Sequence, residues 1–106
     1  MTDIKIAIKG NRATLLNNID LIAGTIGQKC ILFFDKEWDS YISKTITYKV
    51  GPTIIGSYKI DLSNEVIIPQ QVLMTAGLPL EIGITGHSID GSSVRPTSWC
   101  LIGKIQ

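Results

Sequence analysis

The sequence predicts an all-β fold, an antiparallel β-sandwich of immunoglobulin-like size with one short helical turn near residues 70–76; a small barrel is the main alternative. Three observations carry this. Apolar and polar residues alternate with period two in several segments, most strictly in Lys44-Thr45-Ile46-Thr47-Tyr48-Lys49-Val50 before Gly51-Pro52, because successive strand side chains point to opposite faces. Turn residues cut the chain into short extended pieces throughout. Only one segment has helical spacing, and it is shorter than two turns.

In chain order, Ile4, Ile6 and Ile8 alternate with polar neighbours in a first strand that Gly10-Asn11 closes. Arg12 to Leu16 can pair back on it as a hairpin. Asn17 to Asp20 is a loop, since Asn and Asp satisfy their own backbone, and Leu21 to Thr25 is a further extended piece broken by Gly24 and Gly27. Cys30, Leu32 and Phe34 occupy one face of the next strand, with Ile31 and Phe33 on the other. A strand apolar on both faces is expected to be central and covered on both sides.

Asp35, Glu37 and Asp39 alternate as on a strand, so Trp38 is expected to enter the alternating strand and plug the end of the sandwich, aromatic residues carrying the largest buried area. Ile54 to Leu62 alternates through Tyr58 and Ile60, Ser63-Asn64 turns, and Glu65 to Ile68 follows. Pro69 suits a first helical position, Val72, Leu73 and Ala76 make a small apolar stripe, and Gly77 sits at the C-terminal cap with Pro79 beyond. A strand through Leu80, Ile82 and Ile84, a loop over Ser88 to Ser93, and a last strand from Ser98 to Ile105 with Trp99, Leu101 and Ile105 on its apolar face complete the chain. Tyr48, Tyr58 and Trp99 are all expected in the core.

At 106 residues the chain makes one domain, 1–106. Hydrophobic residues at 44% and a net charge of +1 suit a folded globular domain and argue against disorder. That charge, with basic residues scattered singly, gives no field to recruit nucleic acid or an anionic membrane, so neither is an expected partner. Met1 to Lys5 has an acid at position 3 and no apolar run of signal-peptide type, which implies synthesis in the cytoplasm. Cys30 and Cys100 are expected to be free, buried thiols.

Little in the sequence suggests catalysis. His87 is alone, no serine stands in a nucleophile elbow, and the three carboxylates around Trp38 lack calcium-loop spacing. Gly24 to Gly27 lacks the lysine and hydroxyl residue of a phosphate loop. No enzyme activity, metal or cofactor is expected.

A set of motifs recurs in a fixed order: Ile22-Ala23-Gly24 with Gly27, the apolar run Cys30 to Asp35, Glu37-Trp38-Asp39, Ile68-Pro69 with Val72-Leu73 and Gly77, Gly83-Ile84-Thr85-Gly86, and Pro96-Thr97-Ser98-Trp99 before Leu101-Ile102-Gly103. In order and spacing, from about Leu21 to Ile105, they resemble the N-terminal β-sandwich domain of fibre-type proteins (head fibre, tail fibre or minor structural) of bacteriophages infecting Gram-positive bacteria. The resemblance implies a virion structural protein, located in the virion, that docks on the capsid or tail and projects a fibre. Its partners would be other virion proteins, with homo-oligomerisation as a trimer where a C-terminal stalk follows. Longer relatives run on beyond the position of Gln106, so the chain is expected to be the anchoring part of a fibre or a stand-alone decoration protein.

Docking would use strand edges and loops. The expected contact residues are Asp3, Lys5 and Lys9 on the first strand, taken as an edge, and Tyr41, His87 and Arg95 on loops. The alternative function is a carbohydrate-binding module for host-surface glycan, which requires exposed aromatics, Trp38 and Trp99 being the test.

Overall fold

The computed structural model describes residues 1–106 and contains nine strands in two sheets packed face to face. The strands are β1 (Ile4–Lys9), β2 (Arg12–Leu15), β3 (Lys29–Phe34), β4 (Ser43–Val50), β5 (Thr53–Lys59), β6 (Glu65–Ile67), β7 (Pro79–His87), β8 (Val94–Pro96) and β9 (Cys100–Lys104). One sheet has the order β2-β1-β3-β6; the other has β5-β4-β7, with β9 beside the first half of β7 and β8 beside its second half. The expected all-β sandwich is present. Within it, β1 and β3 run parallel, because β2 turns back on β1 as a hairpin and takes the edge while β3 arrives on the other side.

The core lies between the sheets. Ile4, Ile6 and Ile8 stand beside Cys30, Leu32 and Phe34 in the parallel register, facing Ile46, Tyr48, Leu80, Ile82 and Ile84 of the opposite sheet. Each of these isoleucines is fully buried, and such burial contributes roughly 1.5–3 kcal/mol per side chain relative to exposure. The two-residue turns Gly10-Asn11 and Gly51-Pro52 both place glycine at φ 57, the first central position that a II′ hairpin turn reserves for it. Gln28 is the one buried polar residue, and its Nε2 donates to the Thr2 and Lys29 carbonyls.

Several local expectations change. Leu21 to Thr25 forms no strand; Leu21 alone makes an isolated bridge to Ile105 and is buried there. Lys36–Ser40 is a 3-10 turn, not the start of a strand: Asp35 caps it by accepting from the Glu37 N–H, and its other carboxylate oxygen accepts from the Gly10 N–H at 2.9 Å. That single carboxylate ties the turn to the β1–β2 hairpin. The helical segment is also a 3-10 turn, Gln70–Leu73, which buries Val72 and Leu73 and leaves Ala76 exposed.

Strand β9 reverses its expected faces. Cys100 and Ile102 point inward while Trp99 and Leu101 are 40% and 59% exposed. The register shifts against β7 so that Ile102 is an extra residue between the Glu81–Leu101 and Leu80–Gly103 pairs. This bulge, with Gly103 at φ 152, lets Ile102 and Ile105 both turn inward, which strict alternation forbids.

Trp38 fills one end of the sandwich as expected and is fully buried. Its indole N–H donates to the Gly10 carbonyl at 2.9 Å, and its ring lies 5.4 Å from Phe34 and 5.5 Å from Tyr41. Gly86 leaves room for it, since a Cβ there would sit 2.7 Å from the Trp38 ring and 2.9 Å from Tyr41. Gly86→Ala should therefore destabilise by about 1–3 kcal/mol through overpacking, although alanine in a strand ordinarily improves on glycine. A urea unfolding curve with an unshifted or raised midpoint would contradict this packing.

Candidate docking face

The six residues expected to make contacts fall into two groups. Lys5 and Lys9 are exposed on the outer face of the first sheet. Strand β1 is not an edge strand, contrary to the expectation from the sequence: it lies between β2 and β3, so its backbone is paired on both sides and only its outward side chains are available. Asp3, just before β1, is half-buried, and its carbonyl accepts from the Asn17 amide at 2.9 Å.

Tyr41, His87 and Arg95 gather around the Trp38 end. Tyr41 is half-buried against Trp38, and His87 ends β7, paired with Ser43 and Val94. Arg95 on β8 bonds the Asn11 side chain through Nε at 2.9 Å, reaches Glu37 at 3.1 Å and lies over the Trp38 ring at 5.9 Å. These contacts commit Arg95 to holding β8, the β1–β2 turn and the 3-10 turn together. Of the acidic residues around Trp38, Asp35 thus works as a cap and Glu37 as an ion-pair partner.

The outer face of the first sheet is not covered as the apolar run of β3 predicts. Phe33 is 48% exposed, Ile67 and Leu16 are also exposed, and Ile31 and Ala7 are half-buried beside them. In register, Phe33 neighbours Ala7, which has Thr14 on its other side, while Ile31 lies between Lys5 and Glu65. The sequence scatters its basic residues, but the hairpin sets Lys9 directly opposite Arg12 on this face. Like charges opposite one another are destabilising. None of Lys5, Lys9 and Arg12 is within ion-pair distance of an acid; the three ion pairs in the chain are Lys29–Glu65, Lys49–Glu81 and Arg95–Glu37. Sequence reasoning missed Phe33, Ile31 and Arg12 here, because nothing in an all-apolar strand tells which face is left open.

The other exposed aromatic is on the opposite side of the molecule. Trp99, expected in the core, lies across Gly83 on the outer face of the second sheet, where a Cβ on Gly83 would meet its ring at 3.2 Å. Of the two aromatics that the glycan-binding alternative requires to be exposed, Trp38 is inaccessible and Trp99 is open.

Buried thiols and an exposed carboxylate show the remaining electrostatics. Burial, then the neighbouring Cys100 and Asp3, push the Cys30 thiol from 9.0 up to about 12, and burial also raises Cys100. Both cysteines are free and buried, as expected. Asp90, in the Ser88–Ser93 loop, is held down at about 2 by hydrogen bonds from the Ser92 hydroxyl and N–H and the Ser88 hydroxyl. It organises its own loop. No three His, Cys, Asp or Glu residues converge to hold a metal ion, and no helix is long and apolar enough to cross a membrane.

Comparison with protein-family models, with curated proteins and with solved structures finds no match.

Proposed function

We propose that this chain is a structural, non-enzymatic docking domain of a bacteriophage virion, seated through the outer face of β2-β1-β3-β6 on an acidic patch of a capsid or tail protein. The observation that carries the docking is the cluster of Lys5, Lys9 and Arg12, without acidic partners, beside exposed Phe33 and Ile67 and half-buried Ile31. An apolar centre rimmed by charge is the anatomy of a protein interface, and three unpaired cations select an acidic partner. The outward Lys9–Arg12 pair works against the fold in isolation and favours the bound state. The virion setting rests on the ordered motifs between about Leu21 and Ile105 and their resemblance to fibre-type domains. In that setting the partners are other virion proteins, and the domain projects whatever fibre it carries.

Association of the purified chain with phage particles lacking it tests this reading. Phe33→Ser should weaken association at least about tenfold, since truncating an interface anchor costs about 2 kcal/mol or more. Lys5→Glu with Lys9→Glu should weaken it further and remove its salt dependence. Association of the combined variant at the unmodified level would overturn the proposal.

A further inference from the structure

We infer that the outer face of the second sheet carries a shallow binding site for one pyranose ring of a neutral glycan, with Trp99 as its stacking surface and the Thr47 and Thr85 hydroxyls at its rim. This site lies on the sheet opposite the docking face and stands independently of it. A depression of about 220 Å³ is bounded by Thr47, Thr85, Pro96, Thr97 and Trp99 above Gly83. Ligand pockets for drug-sized molecules run to about 300–1,000 Å³, so this one admits a single ring and leaves the rest of a chain outside.

The aromatic surface is fixed in place before any ligand arrives. The Thr97 N–H donates to the Ile84 carbonyl at 2.8 Å, the Thr97 hydroxyl accepts from the Ile84 N–H at 3.0 Å, and the Ser98 N–H donates to the Asn11 carbonyl at 2.8 Å. Gly83 points outward yet is buried, because the Trp99 ring lies on it. A ring held this way loses little freedom on binding. Its π-face suits the apolar C–H face of a sugar, while hydroxyls beside it suit the sugar's own hydroxyls. Thr47 is already oriented by a 2.7 Å hydrogen bond to Ser57, which stands on the same cross-strand row as Thr47 and Gly83.

Charge decides the ligand class. Lys49 Nζ stands over the Trp99 ring, 4.6 Å from its centroid, and is paired with Glu81 at 3.5 Å, so a sugar takes the part of the ring that borders the depression beside Thr85, Pro96 and Thr97. The pair offers no net positive charge for a phosphate, and its carboxylate repels one, so a nucleobase stacked on Trp99 would bring its backbone into an unfavourable place. A neutral saccharide has no such penalty.

The test uses the two indole N–H signals of the 15N-labelled chain, assigned with Trp99→Phe. Maltohexaose, cellohexaose, chitohexaose and an oligothymidylate are each titrated to about 20 mM, enough to reveal millimolar binding. At least one hexasaccharide should shift the Trp99 signal saturably and leave the Trp38 signal unmoved. Trp99→Ala should abolish the accompanying shifts at the Gly83 and Thr85 amides. Gly83→Ala keeps every hydroxyl and the ring but displaces the ring, and should weaken binding at least about fivefold with the rest of the spectrum unchanged. If none of the three hexasaccharides moves the Trp99 signal, if the oligothymidylate alone moves it, or if sugar-dependent shifts survive Trp99→Ala, the inference is wrong.

Discussion

Replacing Trp38 with alanine should cost the fold about 3–5 kcal/mol, the range for deleting a fully buried large aromatic. For a small domain that is a large part of the total stability, about 5–15 kcal/mol. The loss has several sources acting together. The indole is completely buried, packs at a tilt against Phe34 and Tyr41, donates to the Gly10 carbonyl, and carries Arg95 over its face. Its removal empties one end of the core and leaves the Gly10 carbonyl without its donor. The same replacement at Trp99, which is 40% exposed, should cost far less. Urea unfolding followed by near-ultraviolet circular dichroism would measure both; equal losses for the two variants would contradict the assignment of Trp38 to scaffold and Trp99 to surface.

Raising the pH should destabilise the fold steeply above pH 9, and the two buried thiols, Cys30 more than Cys100, should dominate the first part of that loss. Its thiol is pushed from 9.0 to about 12, chiefly by burial. Below pH 9 both folded and unfolded chains hold the proton, so Cys30 contributes no pH dependence there. Between 9 and about 12 the unfolded chain releases it while the folded chain keeps it, the unfolded state binds fewer protons, and stability falls as pH rises. The slope is about 1.4 kcal/mol per pH unit for this one group. Tyr48 is also raised, by burial and then by Cys30 and Tyr58, and it adds to the loss above its ordinary value of 10.0. Thermal unfolding from pH 8 to 11 should show the slope, and Cys30→Ala, though somewhat less stable at neutral pH, should lower it below pH 10, Cys100 supplying the remainder. An unchanged slope in that variant would place the titrating group elsewhere.

The strands were legible in the sequence wherever one face is buried and the other wet. Lys44 to Val50 and Ile4 to Lys9 are such strands, because alternation records burial directly. Where alternation is missing, the sequence names a strand but not its environment: Ile31 and Phe33 suggested a covered face, and the structure leaves that face open. Alternation also misleads across a bulge, which is why Trp99 and Leu101 were expected inside. The 3-10 turn at Lys36–Ser40 escaped notice because its stabilising partner, Gly10, is 25 residues from Asp35.

The candidate docking face was half legible. Lys5 and Lys9 were named for the wrong reason, as residues of an edge strand, and their significance comes from Arg12, which the hairpin sets opposite Lys9. Charge clustering of this kind is a property of register, and composition does not contain it. Arg95 shows the converse. It is polar and near a loop, and within the chain it bonds Asn11, pairs with Glu37 and lies over Trp38.

A reconstruction of the phage particle at a resolution that separates strands tests the proposal most directly. The domain should be found in the particle with the β2-β1-β3-β6 face against a capsid or tail protein, Phe33 at the centre of the contact, and acidic residues of the partner opposite Lys5, Lys9 and Arg12. A particle without the domain, or one in which that face is turned to solvent, would contradict it.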